Sequence, residues 1–517
     1  MQPLLDGRSL NFAELVAVAR GRASVAVAGS TAGPMRTSRD WVLAAARGEL
    51  RDAGAGPRSV YGVNTGYGSL ARVAIPAGQA AELSANLIRS HAAGTGPELP
   101  DEVVRAAMVL RANALARGMS GVEPAVVHTL LLMVEAGVTP VVPSRGSCGS
   151  SGDLAPLAHI GLVVFDGAPH ESGRARFGDR LMTGAEAMAA AGITRVTIGP
   201  KDALAMTNGA QVTTALTALA VYDSDALVKA AELATAMSFE ALRGVTKALD
   251  PRVHALRPFR GAVETAGVLR QLLHGSALVD STGRVQDAYA LRCAPAVMGA
   301  VRDGIRFVAS QVNVELNAVT DNPVIFAADG DGDAVSAGLF HGEPIGIAAD
   351  HLRLVLGELA GIAERRVHRL TTSILSGQLP PGLAKDRGMG LMMTASTAAS
   401  LVHTLRQTAW PASSDSIPTC EDQEDFVAMA TTAARRARDA VGLASRVVGI
   451  ELLCAAHGVR LRAPDAPSPH TGRAVMAVLD CVAGAPSHGE AVERLMERLD
   501  DVVGAAALSP WPGCLDV

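Results

Sequence analysis

Aromatic side chains are scarce in this chain: its 517 residues include 4 Tyr, 9 Phe and 3 Trp, so a Tyr inside a chemically suggestive motif needs a reason. The six cysteines, Cys148, Cys293, Cys420, Cys454, Cys481 and Cys514, stand singly without Cys-x-x-Cys or zinc spacing. That pattern fits reduced thiols and argues against a disulfide framework. Basic charge is not in excess. With Lys+Arg 46 against Asp+Glu 51, a formal net charge of -5 leaves no field to hold nucleic acid. No segment holds about 18 uninterrupted apolar residues, and Met-Gln-Pro-Leu-Leu-Asp-Gly-Arg at the start lacks a basic region followed by an apolar core, so a cytoplasmic setting without a membrane partner is expected. There is no His-Glu-x-x-His, no phosphate-cradling loop with Lys, and no metal is expected. The acidic run Asp329-Gly-Asp-Gly-Asp333 fails as a calcium loop, because Ala334 and Phe340 stand where the required Gly and bidentate Glu belong.

What is present is a helix-forming chain with a large core: 49% hydrophobic and 19% charged residues exclude a disordered or fibrous protein. Apolar residues recur at helical spacing over 80–94, 101–116 and 123–137, and again over long runs at 211–243, 296–318, 348–370, 389–408 and 433–457. In the run 348–370, Leu352, Val355, Leu356, Leu359, Ile362, Ala363 and Val367 form one stripe, with Arg353, Glu358, Arg365 and Arg366 mostly off it. Residues 40–51 read as a further helix and residues 166–200 as surface hairpins. These lengths predict a mainly α protein, a bundle of long helices in residues 206–517 following a smaller mixed N-terminal domain over 1–205.

The stretch around Ser150-Ser151-Gly152 carries the chemistry. Attack of the Gly152 nitrogen on the Ser150 carbonyl carbon with loss of water closes a five-membered imidazolone, and loss of the Ser151 hydroxyl as a second water leaves an exocyclic methylidene. Gly suits the nucleophile because no Cβ blocks the approach. Ser at 151 supplies the leaving hydroxyl, and position 150 needs only to be small. The product is an electrophile that no standard side chain offers. Pro156 sits where a first-turn proline is tolerated, so a helix is expected to begin just beyond Gly152.

Gly146-Ser-Cys-Gly-Ser-Ser-Gly-Asp-Leu-Ala-Pro-Leu-Ala-His159 resembles the signature of the histidine ammonia-lyase branch of the aromatic amino acid ammonia-lyases. The resemblance continues through Tyr61-Gly-Val-Asn-Thr-Gly-Tyr-Gly68, Asn86-Leu-Ile-Arg-Ser-His-Ala-Ala-Gly94, Asn208-Gly209, Gln286-Asp-Ala-Tyr-Ala-Leu-Arg-Cys293, Asp321-Asn-Pro323, Phe340-His-Gly342 and Gln423-Glu-Asp425. It implies a fumarase/aspartase-like helix bundle, a 4-methylidene-imidazol-5-one (MIO) group formed autocatalytically from Ser150-Ser151-Gly152 with no external cofactor, and a homotetramer whose sites combine residues from three chains. It also implies roles. Tyr61 is the expected base for the β-proton, which as a phenol requires a lowered pKa or a relay through the Tyr289 region. Asn208 is expected near the prosthetic group, Tyr289 over the reacting amine, and Arg292 as a bidentate clamp on the substrate carboxylate. Gln286 and Gln423 are expected as polar contacts and Phe340 as an apolar wall. Ser90-His91 resembles the histidine-specific form, and with Glu424 it matches the donor and acceptor nitrogens of an imidazole.

The chain departs from the family's pattern at Ser150, where Ala is usual, and at Leu339, Ala296, Gly388-Met389 and Phe426. Most of these changes replace polar groups with apolar ones. The expected activity is elimination of ammonia from L-histidine, or a similar α-amino acid, to a trans-α,β-unsaturated acid such as urocanate. Two alternatives stand beside it: a 2,3-aminomutase of the same family, and a non-catalytic helical oligomer that closes no ring.

Overall fold

The computed structural model describes residues 2–51, 56–167, 169–327, 332–385 and 390–515; Gly388 and Met389 lie outside them, as does most of the Asp329 to Asp333 run. The described residues are mainly helical, with strands confined to small two- and three-stranded sheets. They gather into two compact units: Met1–Leu219 with Gln311–Asp350 and Pro411–Arg435, and Ala220–Ser310 with His351–Trp410 and Arg436–Val517.

In the first unit Asp101–Ala116 is the central helix, buried without interruption from Ala106 to Ala116, which is why its sequence is apolar nearly all round. Pro124–Ala136 starts on a first-turn proline and stops at Gly137, whose φ of 77° suits glycine alone without strain. The chain then makes the strand Pro143–Arg145, which pairs antiparallel with Thr95–Glu98. This pairing positions the site. Thr95–Glu98 follows the helix Ala80–His91, and Pro143–Arg145 immediately precedes the small-residue loop, so His91 and Ser150 are brought to one region. The Gly94 amide donates to His159 Nε2 at 3.2 Å and adds a second tie. As expected, a helix begins beyond Gly152, at Leu154–Val164. The expected helix at 40–51 forms earlier, at Ala32–Ala46. Residues 166–200 hold one hairpin, Arg174–Phe177 with Arg180–Thr183, and also a helix, Gly184–Ala190, started by a Thr183/Glu186 capping box.

The long runs are long helices: Gln211–Ala241, Ala294–Glu315, Glu343–Thr371, Met392–Gln407 and Ala430–Arg460. Thr and Ser inside the first of these stay satisfied by donating one turn back, Thr217 to the Thr213 carbonyl and Thr235 to the Ala231 carbonyl. Ala430–Arg460 is long and apolar enough to cross a membrane by length and composition, yet most of it is buried within the protein. The stripe of Glu343–Thr371 is buried as expected except for half-buried Ile362, but Arg353 and Arg366 are buried too, a correction to their placement off it. Arg366 is fully buried because Glu451, also fully buried, meets its guanidinium with two oxygens at 2.5 and 2.8 Å.

Candidate active site

A cavity of about 770 Å³ in the first unit is lined by Tyr61, His91, Ser150, Ser151, Asn208, Phe340, Gln423 and Glu424, eight of the thirteen residues anticipated from sequence. Gly152, the next residue after Ser151, is buried and does not line the cavity. Gln286, Tyr289 and Arg292 belong to the second unit and are not among the lining residues. There Tyr289 is exposed, the Arg292 guanidinium stacks over its ring at 4.7 Å, and Arg292 Nε donates to the Asp287 carbonyl at 3.1 Å.

The small-residue loop is fixed from several directions. Gly149 accepts from the Gly342 amide at 2.9 Å, and Cys148 accepts from the Ala430 amide at 3.0 Å. The Ser150 hydroxyl accepts from the Ala428 amide at 3.0 Å, a contact that alanine at this position would not make. Asn208 Nδ2 donates to the Ser151 carbonyl at 2.6 Å, and the Asp153 amide donates to the Gly209 carbonyl at 2.7 Å. Gly152 has φ +85°, and a Cβ built on it would lie 2.2 Å from the Gly209 nitrogen, so no other residue fits here. Asp153 is fully buried and accepts from Ser147 Oγ, Thr213 N, Thr213 Oγ1 and Thr431 Oγ1. Burial raises its pKa, and those hydrogen bonds oppose the shift.

On the facing side, Thr419 and Glu424 form an isolated antiparallel bridge. The Glu424 carboxylate accepts from Thr419 Oγ1 and from Ser151 Oγ, and so spans from its own loop to the small-residue loop. Tyr61 Oη accepts from the Gly68 amide at 3.0 Å. Its pKa is raised: burial outweighs the Gly68 hydrogen bond, and Cys420 and Glu424 push the same way as burial. The lowered pKa that a phenolic base calls for is therefore not built into this chain's own surroundings of Tyr61. Tyr67 lies edge-on to it at 6.4 Å, pushed up to about 12 by burial.

His91 has its pKa lowered by burial, against opposing effects of the Leu87 carbonyl and Glu424. Ser90 is not a lining residue; its hydroxyl donates to the Leu87 carbonyl at 3.1 Å and lies 3.0 Å from His91 Nδ1. Among the departures, Phe426 lines the cavity and stacks with His341 at 6.3 Å, while Leu339 is half exposed and off it. Ala296 lines a separate groove in the second unit. Sequence reasoning missed Thr419, Tyr67 and His341. The last two sit inside quoted motifs and were findable; Thr419 lies outside any motif, and only the bridge to Glu424 reveals it.

The profile of the family described as aromatic amino acid lyase matches residues 10–480. A histidine ammonia-lyase of Geobacillus kaustophilus is 46% identical over 418 residues, 80% of this chain and 81% of the relative. Among solved structures, histidine ammonia-lyase from Trypanosoma cruzi is similar with a TM-score of 0.87 and 32% identity, covering 98% of this chain and 95% of that one. Tyrosine aminomutase from Streptomyces globisporus is similar with a TM-score of 0.89 and 30% identity, covering 98% of each. A single alignment that runs through both units, together with a cavity gathered around the small-residue loop, makes this chain a member of the aromatic amino acid lyase family.

Proposed function

We propose that this carbon–nitrogen lyase eliminates ammonia from L-histidine, or a close imidazole or aromatic α-amino acid, to give trans-urocanate or the matching unsaturated acid. The observation that carries the reading is the cavity itself, which gathers Tyr61, His91, Ser151, Asn208 and Glu424 around one space. The identity to histidine ammonia-lyases supports the substrate. The residues present fit a methylidene-imidazolone closed from Ser150-Ser151-Gly152: Gly152 packs where a Cβ has no room, and Asn208 already holds the Ser151 carbonyl, the oxygen that such a ring would keep. When closed, that group supplies an electrophilic carbon for the substrate amine, converting a poor leaving group into a good one.

The chain's own residues do the rest. Tyr61 Oη takes the β-proton, His91 and Glu424 hold the ring, and Phe340 walls the cavity. Tyr289 and Arg292 contribute from an assembled homotetramer, with Arg292 clamping the carboxylate through its planar fork. No nucleic acid takes part.

Tyr61→Phe is expected to lower kcat by about 10²- to 10⁴-fold, the usual worth of a general base, while the intact mass of the protein changes only by the lost oxygen. The raised pKa of Tyr61 sets the sign of the pH dependence. A phenol accepts a proton only when ionised, so kcat/KM should rise with pH through the alkaline range. A profile that falls as pH rises above neutrality would assign the base to another group.

A 2,3-aminomutase is the second reading, favoured by the similarity to the Streptomyces globisporus enzyme and by Ser150. Product analysis separates the two: urocanate with free ammonia supports the lyase, and β-histidine the mutase.

A further inference from the structure

We infer that the ring-binding end of the cavity is a pair of hydrogen-bond acceptors, His91 Nε2 and the Glu424 carboxylate, and that it selects a substrate ring carrying two N–H donors. The inference rests on the function proposed above and sharpens its substrate. His91 Nδ1 lies 3.0 Å from the Leu87 carbonyl oxygen, four residues earlier on the same helix. A carbonyl oxygen only accepts, so Nδ1 carries the proton. Ser90 is compatible with the same tautomer. With its hydroxyl proton donated to the Leu87 carbonyl at 3.1 Å, its oxygen lies 3.0 Å from Nδ1 and can accept from it.

A neutral imidazole has one N–H, which leaves Nε2 with a lone pair. The Nδ1 edge is tied back to its own helix, so the edge free to meet a ligand in the cavity is the Nε2 edge. Burial favours the neutral ring. Glu424 faces the same space and is an acceptor on both oxygens, from Thr419 and from Ser151. Once the Ser151 hydroxyl has left as water, one of those oxygens has lost its donor.

Two acceptors match both nitrogens of a ring only if both carry hydrogen. Neutral histidine offers one N–H and one lone pair, so one contact sets lone pair against lone pair and leaves a buried group unpaired. An imidazolium ring satisfies both acceptors, and so does a neutral imidazole-2-thione, which has N–H at both positions. Ser90 is therefore a positioning residue that acts through His91. The other titratable groups facing the pair are Tyr61, Tyr67, Cys420, Asp425 and His341, with Cys148 beside Glu424.

The test measures competitive binding to the purified full-length enzyme of L-histidine, its two ring N-methyl isomers and the 2-thione analogue of histidine, each at pH 6 and pH 8. The expected result is that the thione binds about tenfold more tightly than histidine at pH 8, with the margin shrinking at pH 6 as histidine gains its second N–H. Each methyl isomer should lose about tenfold. Ser90→Ala should narrow the thione margin, because His91 is then freer to turn a donor toward the cavity. Histidine turned over with no thione preference, or one methyl isomer bound as well as histidine, would overturn the acceptor pair and leave the lyase reading standing. Turnover of a phenyl or phenol amino acid with no binding of any imidazole ligand would overturn both.

Discussion

Gly152→Ala will lower turnover by on the order of 10³-fold or more, because the electrophile cannot form. The hindrance is steric. Gly152 sits at φ +85°, in the left-handed region, where an L side chain costs roughly 1–2 kcal/mol before any contact is counted. A Cβ there would also lie 2.2 Å from the Gly209 nitrogen and 2.8 Å from its Cα and carbonyl carbon. That neighbour cannot retreat freely, since the Asp153 amide donates to the Gly209 carbonyl and the Asn208 side chain holds the Ser151 carbonyl. The same nitrogen that must attack the Ser150 carbonyl is thus both displaced and hindered. Initial rates followed by ultraviolet absorbance of the unsaturated product check this, with circular dichroism reporting whether the helices survive. A folded Gly152→Ala protein working at the parental rate would contradict it.

The second large effect is on stability. Glu451→Gln and Glu451→Ala should each destabilise the fold by about 3–5 kcal/mol, read as lower urea midpoints, because each leaves the Arg366 guanidinium buried without its counter-charge. Both members of the pair are fully buried in the second unit. Ser238 Oγ donates to Glu451 at 2.7 Å, and Arg366 Nη1 donates to the Ala290 carbonyl at 3.3 Å, which anchors the short helix Tyr289–Arg292. Activity should therefore fall together with stability. Replacing both members, as in Arg366→Met with Glu451→Leu, should recover much of the loss, since the desolvation cost disappears with the charges. Single variants with parental midpoints would show that the pair is not isolated from water.

The long helices were legible because each repeats its apolar positions over four or more turns, enough for periodicity to speak without help from tertiary contacts. Arg353 and Arg366 were misplaced for the opposite reason. Their burial depends on partners remote in sequence: Glu451 lies 85 residues beyond Arg366, and Arg353 donates to the Ala409 and Trp410 carbonyls. The helix Gly184–Ala190 is hidden in a polar, Gly-rich stretch, and its one local signal is the capping box of Thr183 and Glu186. At the candidate site, motifs singled out the loop and its ring of polar residues, while the acceptor polarity of His91 depends on three atoms of its own helix and was out of reach. The raised pKa of Tyr61 likewise comes from burial, which no motif encodes.

The proposed activity depends on the ring at Ser150-Ser151-Gly152, and the intact mass of the purified, full-length protein tests it most directly. The account predicts a mass lower than that of the unmodified chain by two water molecules, restored in Ser151→Ala by at least the water that the side chain of residue 151 would have lost. An unmodified polypeptide mass in the parental protein would contradict it and leave a helical oligomer without its electrophile.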